Sequence, residues 1–435
     1  MRKIHLMAQA ILLILTMTTY HSRRDVKNMT NFWDFKGVHR TGIHTLGHYP
    51  ATMVPEMQLG LMQTWSKKEY KVMLDPFMGS GTALIEAQKL GLNTIGIDLN
   101  PYAVLLSEVK THDYSETNWA AVITRIFNKL NEKEYLVPIF DFNKINKWFR
   151  KDIILSLSRI RNVIKSENDI WIRKFLWVCM SETIYSHSND RTSSFKLHVK
   201  FEEQIEAIPD NAIKDFLKIV SHKCTFLSTH ELPTAKIYAG DAKEACTKIA
   251  TESVDMICTS PPYGDSATTV TYGQASILFL KWIDKKDLES RNLSKLLSNF
   301  SAIDSLSLGG RVAAPNGYSS KLLENFLANI APKKCIKVKR FFSDYWIIIQ
   351  QMARVLDEDG TIIITLGNRT VDNQVQPLDQ ITIEMFAKLG IKHIKTYSRH
   401  IEYRRTPQHV NLQQNGCRTR SLDSERTLIF RRKTK

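Results

Sequence analysis

Cysteine is scarce in this sequence, and the spacing of the few cysteines supports neither a zinc module nor a disulfide framework. The chain of 435 residues contains six cysteines, and no two of them form a Cys-x-x-Cys pair. Structural zinc sites and small disulfide-stabilised folds both depend on closely spaced cysteines. We therefore expect no metal site, and reduced thiols of the kind that are typical of the cytoplasm.

Long apolar runs are also missing, although the first residues share features with a signal peptide. A basic start is followed by apolar residues, but His5 and Gln9 interrupt them and leave Ala10–Leu15 as the longest unbroken run. A helix that spans a bilayer needs roughly 20 apolar residues, and no small-x-small cleavage site follows here. We expect residues 1–28 to be an amphipathic leader, or to precede a native start at Met29, in a cytoplasmic protein without a membrane partner.

Acidic residues are outnumbered by basic ones. Lysine and arginine total 60 and aspartate and glutamate total 44, which gives a formal net charge of +16. Such an excess favours a polyanionic partner, either a nucleic acid or an acidic membrane surface. The hydrophobic fraction of 43% and the charged fraction of 24% argue against a disordered or collagen-like chain.

Short apolar runs alternate with helical patterns along much of the chain. Val72–Leu74 ends at Asp75, Thr82–Leu90 is typical of a helix, and Thr94–Ile97 is a second strand pattern. This βαβ unit predicts an α/β fold with a parallel, doubly wound sheet. Two interruptions divide the chain into a leader (1–28), a first sheet part (29–112), a mostly helical insertion (113–233), and a second sheet part (234–435) with a variable, basic segment (264–340).

A glycine-containing loop, Asp75–Thr82, joins the first strand to the first helix. Its glycines let the backbone approach a ligand, and the helix amides behind them favour a polar or anionic group. A triphosphate loop would need a lysine after the second glycine, and a dinucleotide fingerprint would need a third glycine where Leu84 stands. S-adenosylmethionine is the remaining candidate. Asp98 would accept hydrogen bonds from its ribose hydroxyls and Asp241 from its adenine amine, unless both are turn residues or helix caps.

A second loop follows the strand pattern Val254–Cys258 and has the sequence Thr259-Ser-Pro-Pro-Tyr263. Two prolines give no donors to a sheet and hold a stiff loop at the end of a strand. Ligands of open α/β sheets bind along that carboxyl edge. We therefore expect this loop and the glycine loop to form one site.

Together, the two loops resemble the amino-group DNA methyltransferases of restriction–modification systems. The Ser-Pro-Pro-Tyr form is most similar to the members that methylate N4 of cytosine. His44–Pro55 is similar to the first cofactor motif of the family and Gly96–Pro101 to its ribose-binding motif, while Ser188–Ser193 and Tyr272–Gln274 are similar to further segments of the group. The resemblance implies a Rossmann-like, S-adenosylmethionine-dependent sheet, double-stranded DNA as substrate and a cognate restriction endonuclease as functional partner.

The resemblance also assigns roles to single residues. The cofactor-binding positions that it implies are Tyr49, Asp75, Phe77, Gly79, Gly81, Thr82, Asp98, Asn100 and Asp241. The catalytic positions that it implies are Ser260, Pro261, Pro262 and Tyr263. Among these, the Ser260 side chain and the Pro261 carbonyl would accept hydrogen bonds from the target amine, and Tyr263 would stack on a base rotated out of the duplex. Methylation of cytosine C5 would instead need a thiolate after a proline, and none of the cysteines follows one.

Several points stay open at the level of the sequence. Either the helical insertion or the segment 264–340 is the DNA-reading region, and Arg191 and Lys196 are candidates for phosphate contacts, unless they are ordinary surface residues. A methyltransferase of adenine N6 would use the same machinery, although that group more often carries Asp or Asn where Ser260 stands. A tRNA guanine-N2 methyltransferase and a catalytically silent DNA-binding relative are further alternatives.

Overall fold

The computed structural model of the chain describes residues 35, 38–132, 138–193, 196–264, 270–290, 292–310, 317–367, 369–401, 409–412, 418–420 and 424–432. The expected leader, Met29 and Cys417 lie outside these residues. Within the described part, no helix is both long enough and apolar enough to cross a membrane. In the same part the remaining cysteines are unpaired, and no group of three or more potential metal-ligating side chains is gathered in one place.

The strands form a central sheet and two small antiparallel pairs. Their bounds are β1 (Val72–Asp75), β2 (Asn93–Asp98), β3 (Ala235–Ala239), β4 (Val254–Thr259), β5 (Leu356–Gly367), β6 (Thr370–Val371), β7 (Gln374–Val375), β8 (Ile391–His400), β9 (His409–Leu412), β10 (Arg418–Arg420) and β11 (Ser424–Arg432). The central sheet has seven strands in the order β3-β2-β1-β4-β5-β11-β8. The first five in that order are parallel, and β11 runs antiparallel to β5 and β8. This confirms the predicted Rossmann-like α/β class.

The order of the strands places the two sequence motifs side by side. From β1 the chain builds β2 and β3 on one side, and it later returns to build β4 and β5 on the other. Consequently β1 and β4 are neighbours, with Leu74 paired to Ile257. The glycine loop (Asp75–Thr82) and the Pro-Pro-Tyr loop (Thr259–Tyr263) leave these strands at the same carboxyl edge, at the point where open α/β sheets bind ligands.

Helices cover both faces of the sheet and fill the insertion. Their bounds are α1 (Pro55–Trp65), α2 (Thr82–Lys89), α3 (Pro101–Thr111), α4 (Trp119–Asn131), α5 (Ile145–Trp148), α6 (Lys151–Lys165), α7 (Ile170–His187), α8 (Glu202–Glu206), α9 (Ala212–Lys223), α10 (Ala242–Ala245), α11 (Tyr272–Trp282), α12 (Leu293–Leu296), α13 (Ala302–Leu306), α14 (Lys321–Ala328), α15 (Pro332–Val355) and α16 (Leu378–Lys388). Short 3₁₀ turns occur at Gly42–Thr45, Cys224–Phe226, Cys246–Lys248 and Lys285–Asp287.

The insertion packs on the sheet domain through a shared apolar core. Side chains of α4 to α7 and of α9 form one buried cluster with residues of α3 and α11, and Trp177 and Trp282 are both fully buried in it. A buried carboxylate ties the same elements together, because Asp287 accepts hydrogen bonds from Trp177 Nε1 at 2.7 Å and from Arg173 Nε at 2.8 Å. The insertion therefore has a fixed position beside the carboxyl edge.

Candidate active site

A cavity opens at the carboxyl edge of the sheet, between the two motif loops. Its walls include most of the residues that the sequence predicts for the site: Tyr49, Phe77, Gly79, Thr82, Asp98, Asn100, Asp241, Ser260 and Pro262. We call this space the edge cavity. Motifs that lie far apart in the sequence thus face one another across a single space.

The glycine loop needs glycine at two of its positions. Gly79 has a φ of +50°, and a Cβ at this position would lie 3.1 Å from Tyr49 Cε1. Gly81 has a φ of +78°, and its Cβ would lie 2.9 Å from Ser107 Oγ. Both conformations favour glycine. Gly79 borders the edge cavity, whereas Gly81 begins α2 and supports the loop from outside the cavity.

Asp98 holds the glycine loop and also faces the edge cavity. Its Oδ2 accepts a hydrogen bond from Gly79 N at 3.0 Å, and its Oδ1 accepts one from Asn100 N at 2.8 Å. Burial raises the pKa of the Asp98 carboxyl to about 6, against the opposing effect of these hydrogen bonds. A carboxylate here suits a pair of ribose hydroxyls, and the loop beside it has no lysine for a triphosphate. The cavity therefore fits S-adenosylmethionine.

Asp75 has a different position from the one that its predicted role requires. It is fully buried and does not line the edge cavity. Its Oδ1 accepts hydrogen bonds from Thr259 Oγ1 at 2.6 Å and from Phe77 N at 3.0 Å, so it joins the end of β4 to the glycine loop. Its Oδ2 is buried without a partner among the described residues, and burial raises the pKa of this carboxyl to about 7. Asp75 thus connects the glycine loop to the Pro-Pro-Tyr loop through hydrogen bonds outside the edge cavity.

Asp241 and Asn100 line the edge cavity and also cap helices. Asp241 accepts a hydrogen bond from Lys243 N at 2.9 Å at the start of α10, as the alternative interpretation of the sequence expected. Asn100 Oδ1 accepts one from Tyr102 N at 3.1 Å at the start of α3, and its Nδ2 donates to Ser276 Oγ at 2.9 Å. Asn100 therefore connects the end of β2 to α11.

The Pro-Pro-Tyr loop is anchored by the last strands of the sheet. Ser260 and Pro262 line the edge cavity, whereas Pro261 and Tyr263 do not. The Tyr263 hydroxyl donates to Glu425 Oε1 at 3.0 Å and lies 3.2 Å from Ser260 Oγ. Burial, together with the nearby Glu425 charge, raises the pKa of Tyr263 well above its ordinary value, so the hydroxyl keeps its proton. Glu425 in turn accepts a hydrogen bond from Arg399 Nε at 2.7 Å.

One side of the edge cavity comes from the variable segment 264–340. Tyr272 at the start of α11 and Asp304 in α13 both line it. The Tyr272 and Tyr49 rings stack with centroids 5.7 Å apart, and Asp304 accepts hydrogen bonds from Gly273 N at 2.9 Å and Gln274 N at 3.0 Å. Tyr272–Gln274 resembles a segment of the family, but no motif marks Asp304, because its role depends on a long-range contact.

Replacement of Gly273 by alanine is expected to destabilise the chain by about 1–3 kcal/mol, the usual cost of overpacking. A Cβ at Gly273 would lie 2.7 Å from Ile303 Cβ and 2.9 Å from Asp304 Oδ2. The measurement is urea unfolding, with Gly60→Ala as control. A Cβ at Gly60, inside α1, meets nothing within 4 Å, so this control is expected to gain about 0.5–1 kcal/mol from helix propensity. Equal changes in both variants would contradict the proposed fit of α11 against α13.

The two candidate DNA contacts lie outside the edge cavity. Arg191 Nε donates to Val199 O at 2.9 Å, and its guanidinium lies over the Phe201 ring, 4.4 Å from the centroid. Lys196 lines a neighbouring cavity between α7 and α11, and Tyr49 forms part of the wall of both cavities. The structure therefore brings Lys196, but not Arg191, to within one side chain of the edge cavity.

Comparison with known proteins identifies the family. Residues 11–109 match a family model described as DNA methylase. The chain is 30% identical over 395 residues to the type II methyltransferase M.MvaI of Kocuria varians, covering 84% of this chain and 85% of that protein. It is 22% identical to the type II methyltransferase M.BsoBI of Geobacillus stearothermophilus, covering 82% and 80% respectively. A solved putative DNA modification methylase of Thermus thermophilus, complexed with S-adenosyl-L-methionine, matches with 17% identity and a TM-score of 0.23, covering 45% of this chain and 54% of that one.

The chain belongs to the amino-group DNA methyltransferases of restriction–modification systems. Membership confirms the resemblance carried by the two loops, with S-adenosylmethionine as methyl donor. It also decides between the two nucleic acids considered from the sequence, in favour of DNA over tRNA.

Proposed function

We propose that this enzyme methylates the exocyclic N4 amine of cytosine within a short, specific site in double-stranded DNA. The observation that carries the proposal is the position of Ser260, whose side chain lines the edge cavity together with Asp98 and Gly79. S-adenosylmethionine supplies an electrophilic methyl group when it is bound. A serine hydroxyl in place of an aspartate or asparagine is the feature that favours cytosine over adenine.

The proposed cofactor contacts follow from the walls of the edge cavity. Asp98 accepts hydrogen bonds from the ribose hydroxyls, and Asp241 accepts one from the adenine amine. Tyr49, Phe77, Gly79, Thr82 and Asn100 also line the cavity and are proposed to contact the cofactor. Asp75 and Gly81, which lie outside the cavity, act by holding the glycine loop in place.

The proposed catalytic step depends on the geometry of the amine. The lone pair of an amine attached to a cytosine ring is delocalised, so the nitrogen is a weak nucleophile. Acceptors on its two N–H groups, Ser260 Oγ and the Pro261 carbonyl, stabilise a tetrahedral nitrogen whose lone pair points along the line of transfer. As the new carbon–nitrogen bond formed, the carbon–sulfur bond of the methyl donor would break with its electron pair left on sulfur, and the nitrogen would release one of its two protons to water. The Tyr263 ring stacks on the base after it leaves the duplex.

Nucleoside mass spectrometry tests the target base. DNA from cells that express the chain is digested and compared with DNA from cells that express Ser260→Ala. N4-methylcytosine in the first sample, and much less of it in the second, is the expected result. N6-methyladenine would overturn the choice of base while retaining amino-group transfer, and no modified base would favour a silent DNA-binding protein.

Lys196 is proposed to contact a DNA phosphate beside the methylated nucleotide, because its cavity shares Tyr49 with the edge cavity. Lys196→Ala is expected to weaken DNA binding and to lower the slope of log affinity against log salt concentration by about 1. Titration of a fluorescent duplex at several salt concentrations measures both. Lys68→Ala is the matched control, because the exposed Lys68 precedes β1 and so lies at the opposite edge of the sheet. An unchanged slope for Lys196→Ala would exclude the contact.

We also propose a restriction endonuclease of the same site as functional partner. Sequencing of methylated DNA first identifies the site. DNA that this enzyme has methylated at that site is then expected to resist an endonuclease that cleaves there. Cleavage of fully methylated DNA would refute the pairing.

A further inference from the structure

The hydrogen bonds behind Ser260 form a chain whose direction can be deduced. Glu425 is paired with Arg399, and both side chains are mostly buried, at 13% and 14% exposed. The two residues lie opposite each other on β11 and β8. A carboxylate group can only accept hydrogen bonds. The hydrogen bond between Tyr263 and Glu425 must therefore be donated by Tyr263.

The direction of the next bond follows from the number of protons. A tyrosine hydroxyl has one proton, and in Tyr263 that proton is committed to Glu425. The 3.2 Å contact between the Tyr263 and Ser260 hydroxyls must then use the proton of Ser260. With its proton directed at Tyr263, Ser260 Oγ has lone pairs left for another donor. Tyr263 is the only partner of that oxygen among the described residues.

We infer that Glu425 is a positioning residue for methyl transfer, which acts through Tyr263 to keep Ser260 Oγ a hydrogen-bond acceptor towards the target amine. The inference rests on the proposed role of Ser260. It assigns a function to β11, which follows every other strand of the central sheet along the chain. The Arg399 guanidinium holds the Glu425 carboxylate in place through its hydrogen bond.

Loss of the carboxylate would reverse the chain of hydrogen bonds. In Glu425→Leu the Tyr263 proton has lost its acceptor, and Ser260 Oγ is the acceptor within reach. A hydrogen bond from Tyr263 to Ser260 would occupy one of the two lone pairs of Ser260 Oγ and release the serine proton from Tyr263, so that this proton could turn towards the amine and oppose its approach as a donor. Tyr263→Phe removes the relay but keeps the ring for stacking, so Ser260 is no longer oriented in that variant either.

A double-mutant cycle on kcat tests the inference. Glu425→Leu and Tyr263→Phe are each expected to lower kcat by about tenfold or more, with little change in the KM for S-adenosylmethionine. The variant with both substitutions is expected to have a kcat no lower than that of the slower single variant. Glu425 affects Ser260 only through the Tyr263 hydroxyl, so its removal has no further effect once that hydroxyl is absent. Glu425→Gln, which retains an acceptor oxygen, is expected to recover part of the rate of Glu425→Leu.

Glu252→Gln is the matched control, since it removes the carboxylate of another ion pair of β11, with Arg432, at 3.4 Å. It is expected to leave kcat unchanged. Losses that multiply in the double variant, or an unchanged kcat in Glu425→Leu, would overturn the inference. These outcomes are distinct from a failure of the proposed function, in which the unmodified enzyme forms no N4-methylcytosine. Thermal unfolding of each variant identifies any variant whose kcat falls because the fold is lost. If Glu425→Leu is such a variant, Glu425→Gln replaces it in the double-mutant cycle.

Discussion

Ser260→Ala is expected to lower the rate of methyl transfer by about 10²- to 10³-fold, the usual cost of removing one hydrogen-bonding group that acts on a developing charge. The loss should appear in kcat and not in cofactor binding, because the ribose and adenine contacts proposed for Asp98 and Asp241 are elsewhere in the edge cavity. The backbone acceptor at Pro261 is unaffected by the substitution, so a residual rate above background is expected.

Single-turnover methylation with tritiated cofactor measures the rate, and equilibrium dialysis measures cofactor affinity. Ser294→Ala serves as the control, since Ser294 is an exposed serine of α12. A Ser260→Ala enzyme with the unmodified rate would remove the basis for assigning cytosine N4. A variant that lost cofactor affinity and rate together would instead indicate that Ser260 belongs to the cofactor site.

Asp98→Asn is expected to weaken binding of S-adenosylmethionine by about 10- to 100-fold. Hydrogen bonds to a charged group contribute about 1.5–3 kcal/mol, and the amide also turns an N–H₂ group towards either Gly79 N or Asn100 N. Isothermal titration calorimetry measures the affinity, and thermal unfolding without cofactor separates this effect from damage to the loop. Unchanged affinity would exclude Asp98 as the ribose acceptor.

The same carboxylate gives cofactor binding a pH dependence whose sign can be worked out. The pKa of Asp98 is raised to about 6, and only the ionised form accepts from both hydroxyls. Affinity is therefore expected to be constant above about pH 7 and to fall as the pH drops through 6, by up to about tenfold per unit. Asp75 titrates nearby, with a pKa of about 7, so the profile is also recorded in Asp75→Asn. If cofactor affinity no longer depended on pH in Asp75→Asn but still did in Asp98→Asn, Asp75 and not Asp98 would be the group responsible for the pH dependence.

The sequence predicts those parts of the site that local motifs encode. The glycine loop and the Pro-Pro-Tyr loop each combine a strand end with residues of restricted conformation, so both loops and Asp98 are recognisable without a structure. Glu425 and Asp304 are not recognisable in this way. The residues Glu425–Arg431 have the pattern of a strand, but nothing in that pattern shows that the strand enters the sheet between β5 and β8. That position depends on packing across the whole domain, and it brings Glu425 to Tyr263.

Helix boundaries differ from the sequence pattern for local reasons. In the sequence a clear helical pattern extends from Asp344 to Leu356, yet α15 begins earlier, at Pro332. The first half of this helix is rich in lysine, so the helical spacing of its buried residues Val338, Phe341 and Phe342 is difficult to recognise in the sequence. Within the insertion, the residues Phe142–Arg161 have a helical pattern, but the structure divides them into α5 and α6, because the chain is extended at Phe149 and Arg150.

The position of β11 has a consequence for the timing of activity in a cell. Among the described strands β8 pairs only with β11, and β11 also carries the carboxylate that accepts a hydrogen bond from Tyr263. During synthesis, the cofactor loop, the Pro-Pro-Tyr loop and the insertion all emerge from the ribosome before this strand does. A nascent chain can therefore contain every recognisable motif and still lack both the completed sheet and the support of its catalytic loop. The Pro-Pro-Tyr loop can therefore gain its hydrogen bond to Glu425 only after β11 has been made.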